Sequence, residues 1–363
     1  MRPPAHFPPS SRAVAHRAGA DRDGAGGGIA DPDWLAHRYD PVRDDVHFIA
    51  ADRAMRRAAT FLTDENLPSA ADPLILGRRD ATGAIGAISQ RAPVHFIFHS
   101  AYCCSTLLAQ AFDHVGFATT LKEPVILNDL VGWRHRGGNP AKIADVLDSV
   151  LTLLARGFIP GEAVIIKPSN VVNALAPTIL TIRPEARAVL LYAPLRVFLT
   201  SIARKGMWGR LWVRELLAKQ LADGMVDLGF APEEYFRLTD LQVAAVGWIA
   251  QADLFAALAA QFPGRVRSLQ SETLVAAPRV ALAAISTLYG LATDTDSLDA
   301  LVDGGAFARN AKDGTAYRAT DRTREQIDGA ALYADEIDKV LVWAEAVAQN
   351  AGVTFDPPAP LLG

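Results

Sequence analysis

Three short runs constrain this chain more than anything else in it: VHFIF (Val94 to Phe98), AVIIK (Ala163 to Lys167) and AVLLY (Ala188 to Tyr192). Each is nearly unbroken in apolar, β-rich residues, and each precedes a stretch with helical spacing: STLLAQAFDHVG, Val171 to Leu180, and Leu195 to Arg204. Strands without polar alternation need cover on both faces, so the pattern predicts an α/β fold with a central parallel sheet flanked by helices. Arg265 to Leu269 reads as a fourth strand. Leu211 to Leu221, Asp240 to Ala260, Val280 to Tyr289 and Glu325 to Gln349 read as helices, making the second half mainly helical. In such sheets ligands sit beyond the carboxyl ends of the strands, which singles out the turns His99 to Thr106, Lys167 to Asn170 and Ala193 to Ser201.

Upstream of these runs the pattern is weaker. Met1 to Ala30 is rich in Pro, Ala, Arg and Gly without a continuous apolar segment, and reads as a mobile tail with no secretory signal. Val46 to Ala50 reads as a short strand and Ala54 to Leu62 as a helix, while the Gly, Asp and Pro between Pro68 and Arg91 predict a loop-rich connection. The organised core is therefore expected to begin near Pro93. The division is a tail over 1–30, an extension packed on the core over 31–92, an α/β domain over 93–350 and a carboxyl-terminal tail over 351–363.

With 363 residues, half of them hydrophobic, the chain can bury one large core. The balance of 36 Lys+Arg against 40 Asp+Glu leaves a weak net field, which argues against nucleic acid as a partner. No uncharged apolar stretch approaches the roughly 18 residues that a membrane span needs, so no membrane partner is expected. The two cysteines, Cys103 and Cys104, are adjacent and poorly placed to bridge each other, which suits a reducing compartment and a cytoplasmic location. They read as small buried side chains rather than nucleophiles or metal ligands, and no metal is expected.

A loop that leaves a buried strand and enters a helix aims backbone N–H groups and the positive end of the helix dipole at one spot, where an anion is favoured. In HSAYCCSTLL (His99 to Leu108), Ser105 and Thr106 stand where a phosphate-gripping loop places its last hydroxyls, and the run before them has the right length. The loop is equally compatible with an ordinary strand-to-helix turn.

Here the sequence resembles the P-loop sulfotransferase family, whose loop reads approximately G-x-x-[RK]-S-G-[ST]-T followed by an apolar pair. Ser105, Thr106, Leu107 and Leu108 match. His99 stands at the first glycine, Tyr102 at the basic residue and Cys104 at the second glycine. The stretch from Lys167 to Gly206 is similar in order and spacing to the family's run from its K-T-P or K-T-H turn to its R-D-P-R-D-V-x-x-S segment. Pro194, Val197 and Thr200 fit, Tyr192 replaces the leading arginine, and Arg196 is offered as the charge. VRSLQSETLVAAP (Val266 to Pro278) looks like the late strand and its E-x-L-x-x-x-P helix start, and ARNAKDGTAYR (Ala308 to Arg318) like the basic loop that closes over the cofactor, with Arg309, Lys312 and Arg318 as candidates. The resemblance spans about Val94 to Arg318.

It implies a P-loop NTPase-like sulfotransferase fold and transfer of a sulfuryl group from 3′-phosphoadenosine 5′-phosphosulfate (PAPS) to a hydroxyl or amine of a small-molecule or glycan acceptor. It places the cofactor against Ser100, Tyr102, Cys103, Cys104, Ser105, Thr106, Arg196, Thr200, Ser201 and Lys312. Lys167 would neutralise charge on the leaving phosphate; read alone, it is equally a lysine extending its stem along a strand end. Glu123, in TTLKEPVIL, is the candidate base and equally a carboxylate beside a helix start. His99 is a further candidate base or a hydrogen-bonded strand-end residue, and Asp113 and His114 read as structural. Two other classes stay open. A P-loop kinase would need a lysine directly before Thr106, where Ser105 stands, and a non-catalytic descendant would bind a ligand without turnover.

Overall fold

The structure is a computed structural model that describes residues 28–67, 71–86, 91–293, 295–303, 306–308, 326, 329 and 331–362. Its centre is a five-stranded parallel sheet built from β4 (Val94–His99), β5 (Ala118–Lys122), β6 (Ala163–Lys167), β7 (Ala188–Tyr192) and β8 (Val266–Gln270), in the order β5-β6-β4-β7-β8. Every residue of β4, β5, β6 and β7 is buried, as strands covered on both faces must be. The fold class read from the sequence holds: a parallel sheet flanked by helices.

Chain order fixes where that sheet can receive a ligand. From β4 the chain crosses to β5 on one side, and from the neighbouring β7 it crosses to β8 on the other. The two turns diverge at the carboxyl ends of β4 and β7, which is the switch point where open α/β sheets form a crevice. Into that end lead α3 (Ser105–Phe112), α4 (Val125–His135), a 3₁₀ segment (Asn170–Leu175) with α6 (Ala176–Ile182), and α7 (Leu195–Arg204). Proline opens α6 near its first turn, where its missing N–H costs nothing; the single helix expected over Val171 to Leu180 is thus split at Ala176.

Several expectations shift. Structure begins well before Pro93: a three-stranded antiparallel sheet, β1 (Trp34–Asp40), β2 (Asp45–Ala50) and β3 (Leu74–Gly77), precedes it, with α1 (Arg53–Ala58) and α2 (Arg78–Gly86). Residues of this sheet, such as Leu35, Val46 and Phe48, join the same continuous core as the parallel sheet. The loop-rich reading of Pro68 to Arg91 is corrected by β3 and α2. Gly28–Ala30, placed in the tail, forms a 3₁₀ turn with Ile29 buried and its carbonyl accepting from Arg156.

The rest of the first half adds α5 (Pro140–Leu154). The second half adds α8 (Gly206–Ala222), α9 (Asp240–Gln261), α10 (Ser271–Ala276), α11 (Pro278–Tyr289), α12 (Thr295–Asp303) and α13 (Ala334–Ala351). Among the described residues α9 is the one helix long and apolar enough to cross a membrane, and most of it is buried inside the protein. Residues 351–363 are not a loose tail. Ser268 N–H donates to Ala359 O at 3.0 Å, Leu361 N–H donates to Ser268 O at 2.8 Å, and Phe355 packs edge-on against Trp248. The chain end thereby lines the outer edge of β8.

Candidate functional site

The turn after β4 has an unusual backbone. Ala101, Tyr102 and Cys104 have φ of 68°, 52° and 63°, in the left-handed region that L side chains seldom occupy. Each such residue costs on the order of 1 kcal/mol or more, which the surrounding structure must hold in place. The position of the family's second glycine, Cys104, thus keeps a glycine-like conformation without glycine, whereas His99 is an ordinary last residue of β4. Cys104 is the residue before α3 and makes no side-chain cap, so the first-turn amides at Ser105, Thr106 and Leu107 have no partner from that side chain or within the helix. A negative-φ residue, Cys103, followed by a left-handed Cys104 turns successive amides inward in the manner of an anion nest.

The loop's remaining groups hold it to the neighbouring turns. Ser100 N–H donates to Leu191 O at 3.1 Å, and Ser100 Oγ accepts from Ala193 N–H at 3.2 Å, joining the β4 and β7 turns. Ala101 N–H donates to His99 Nδ1 at 3.1 Å, and His99 Nε2 faces Pro168 O at 3.0 Å. Both ring nitrogens of His99 are engaged, so it braces the β4 and β6 turns and is not a base with a free lone pair. Asn173 adds a third tie, donating to His99 O and to Gln251 Oε1 on α9.

The other loop residues sort by side chain. Tyr102 does not stand in for the basic residue: its ring packs edge-on against Phe198 and Trp212, and burial pushes its phenol well above the ordinary value. Cys103 is fully buried, and desolvation pushes its thiol up to about 11, which makes it inert at neutral pH. Ser105 and Thr106 are buried on the first turn of α3.

Across the sheet end, Lys122 and Lys167 are register partners on β5 and β6. Lys167 is 1 % exposed and forms an ion pair with Glu123, with its ammonium 5.1 Å from the centre of the Phe61 ring. Glu123 has a left-handed backbone of its own, φ 53°, and its N–H donates to Lys167 O at 2.6 Å. His99 Nε2 lies 4.0 Å from the same Glu123 oxygen. The structure therefore brings Glu123, Lys167 and His99 together at the carboxyl ends of β4, β5 and β6. Lys122 plays a different part. Burial draws its ammonium down to about 8, and it donates to Arg57 O at 2.9 Å, pinning the segment after α1 to the sheet.

The turn after β7 is relaxed, with no left-handed residue, and Pro194 leads into α7. Arg196 is half exposed there and is paired with Asp338 of α13 at 2.7 Å. Thr200 Oγ1 donates to Arg196 O and Ser201 Oγ to Val197 O, both at 2.8 Å, while Ser201 Oγ also accepts from Gln326. The charge and both hydroxyls offered for a terminal phosphate are thus already occupied by protein. Lys312, Arg309 and Arg318 lie outside the described residues. Phe61 was missed in the sequence: nothing in FLTDE marks a ring that covers a lysine a hundred positions downstream.

Among the described residues no three His, Cys, Asp or Glu side chains converge as metal ligands. A distinct cavity of about 180 Å³ lies elsewhere, against β1 and β2.

No protein-family model matches the chain, and no curated protein does. Among solved structures it is similar to a sulfotransferase from Mycobacterium avium, at 11% identity over 72% of this chain and 82% of that one, with a TM-score of 0.41. It is also similar to the sulfotransferase domain of the olefin synthase of Synechococcus PCC 7002, at 13% identity over 68% and 97% of the two chains and a TM-score of 0.38. A third is a mouse sulfotransferase complexed with PAP, at 9% identity over 77% and 97%, with a TM-score of 0.35. Similarity this remote leaves the chemistry to be argued from the chain's own residues.

Proposed function

We propose that this chain is a sulfotransferase that takes a sulfuryl group from PAPS and passes it to a hydroxyl or amine of a small-molecule or glycan acceptor. One observation carries the reading: three left-handed residues without glycine hold the turn after β4 in an anion-binding shape. Strain of that kind survives selection where the shape is used. The amides and hydroxyls of Ser105 and Thr106 would hold the phosphate, with the dipole of α3 behind them. Lys167, buried beside them, would balance charge on the leaving phosphate oxygen, and Glu123 would take the proton of the acceptor. The co-substrate supplies the activated sulfuryl group, whose sulfur bonds to the acceptor as the bond to phosphate breaks. Arg196 would reach a second phosphate by leaving Asp338, a change that costs little between two half-exposed partners.

A second reading, a nucleotide-binding protein without turnover, is favoured by the closed Lys167–Glu123 pair. Thermal unfolding with adenosine 3′,5′-bisphosphate, with ATP and magnesium, and with buffer separates the classes. At a hundredfold excess over Kd a ligand adds about 2.7 kcal/mol of stability. Stabilisation by the bisphosphate together with transfer of labelled sulfate from PAPS to a panel of alcohols and amines supports the first reading. Stabilisation without transfer supports the second, and no stabilisation by the bisphosphate defeats both.

A further inference from the structure

The cavity of about 180 Å³ against the antiparallel sheet lies outside the sulfuryl-transfer residues, and its chemistry is specific. The register between β1 and β2 shifts between Ala36 and Arg38, which leaves His37 without a partner in the ladder. Such bulges re-aim side chains. His37 is 5 % exposed, and its Nε2 lies 2.7 Å from Asp64 Oδ1. The hydrogen bond from His37, more than any other cause, holds the Asp64 carboxyl below its ordinary value, so Asp64 is a carboxylate and the Nε2 proton points at it. His37 Nδ1 is then a bare acceptor. It is buried, and among the described residues nothing donates to it. Leaving a buried acceptor unmet costs on the order of 1–3 kcal/mol.

The rest of the lining limits what can fill the space. Arg38 gives its donors to Asp64 and to both oxygens of Asp129, at 2.6 to 2.9 Å, so one guanidinium faces two carboxylates and an anion finds no spare charge. Burial lowers the pKa of His47, which favours its neutral ring. Ile49, Leu67 and Pro73 make an apolar wall. A cavity of roughly 150 Å³ is already large enough to hold a six-membered carbon ring.

We propose that this cavity binds a neutral small molecule that carries a hydroxyl on an apolar ring or chain. The O–H donates to His37 Nδ1, and the carbon body lies on Ile49, Leu67 and Pro73. The site is independent of the proposed PAPS site.

The test compares cyclohexanol with cyclohexanone, two soluble molecules of one shape of which only the alcohol donates. Binding to the full chain is followed by calorimetry and by the ¹⁵N resonance of His37 Nδ1, at a pH well above the ordinary imidazole value of about 6.5. The alcohol is expected to bind about tenfold more tightly, the worth of one hydrogen bond, and to move the Nδ1 resonance. His37→Phe is expected to abolish the preference while the adenosine bisphosphate response persists. Because that variant also strands Asp64, the wild-type resonance gives a readout that needs no folded variant. Equal affinity for the two, binding of neither up to their solubility, or an Nδ1 resonance unmoved by the alcohol overturns the proposal.

Discussion

Two turns stand side by side at the carboxyl end of one sheet, and they are built by opposite means. The turn after β4 places three L residues in the left-handed region and leads into α3 through a residue that caps nothing. The turn after β7 has relaxed dihedrals, and its polar side chains are already spent on Asp338 and on backbone carbonyls. The first holds recognition in its main chain, where it costs stability; the second holds it in side chains that must change partners. A sequence comparison sees only the second kind.

The sharpest way to break this contrast is at Lys167, which serves both turns. Lys167→Met should lower sulfuryl transfer by about a hundredfold to a thousandfold, read from labelled sulfate, because one cation on the developing charge is worth several kcal/mol in a dry site. The same variant leaves Glu123 unpaired at the sheet end, so unfolding should be measured beside activity. Retained activity would remove Lys167 from the site.

Beneath the strained turn, β4 can be loosened without touching it. His95, stacked on Tyr289 with ring centres 4.7 Å apart, is pushed down to about 4 by burial and then by Arg187. Between pH 6.5 and 4 the unfolded chain binds a proton that the folded one refuses, so stability falls as the pH falls through that window. The loss is about 3 kcal/mol in full. In His95→Phe, denaturant midpoints should flatten across the window, and an unchanged slope would assign the acid sensitivity to another group.

Glycine scanning then compares the two turns by sign. Cys104→Gly should raise stability by up to about 1 kcal/mol, since glycine takes a left-handed φ without strain. Arg196→Gly, at a helical position of α7, should lower it by about the same amount. Matching signs would mean that the β4 turn is not strained. Smallest of all, Asp338→Asn should change stability by less than about 1 kcal/mol. By freeing Arg196 it should tighten adenosine 3′,5′-bisphosphate binding, measured by calorimetry, and no tightening would take Arg196 out of the phosphate site.

The parallel sheet was legible because its strands are doubly covered and therefore uniformly apolar: VHFIF, AVIIK and AVLLY stand out, and Leu195–Arg204 is bounded in the structure as it is in the sequence. The antiparallel sheet was harder. WLAHRYD mixes charges with aromatics because β1 is bulged at His37 and spends Arg38 on Asp129, ninety-one positions away. RRDATGAIG carries two glycines and little helical signal, yet forms α2 beneath Arg78, which holds Asp44 and Ser149. At the candidate site, residue identities suggested Ser105, Thr106, Glu123 and Lys167. The backbone that unites them was hidden, because Ala, Tyr and Cys do not advertise positive φ. The engagement of His99, Tyr102 and Arg196 was hidden too, since each depends on a partner distant in the chain.

The last residues carry a practical consequence. Ala359 and Leu361 occupy the backbone groups of Ser268 on the outer strand β8, and Ser268 Oγ is shared with the carbonyls of Pro357 and Pro358. A chain shortened by a dozen residues would offer that strand as a bare template, open to pairing with another molecule and so to aggregation. Expression tags and partners fused at this end should follow Leu362, not replace it.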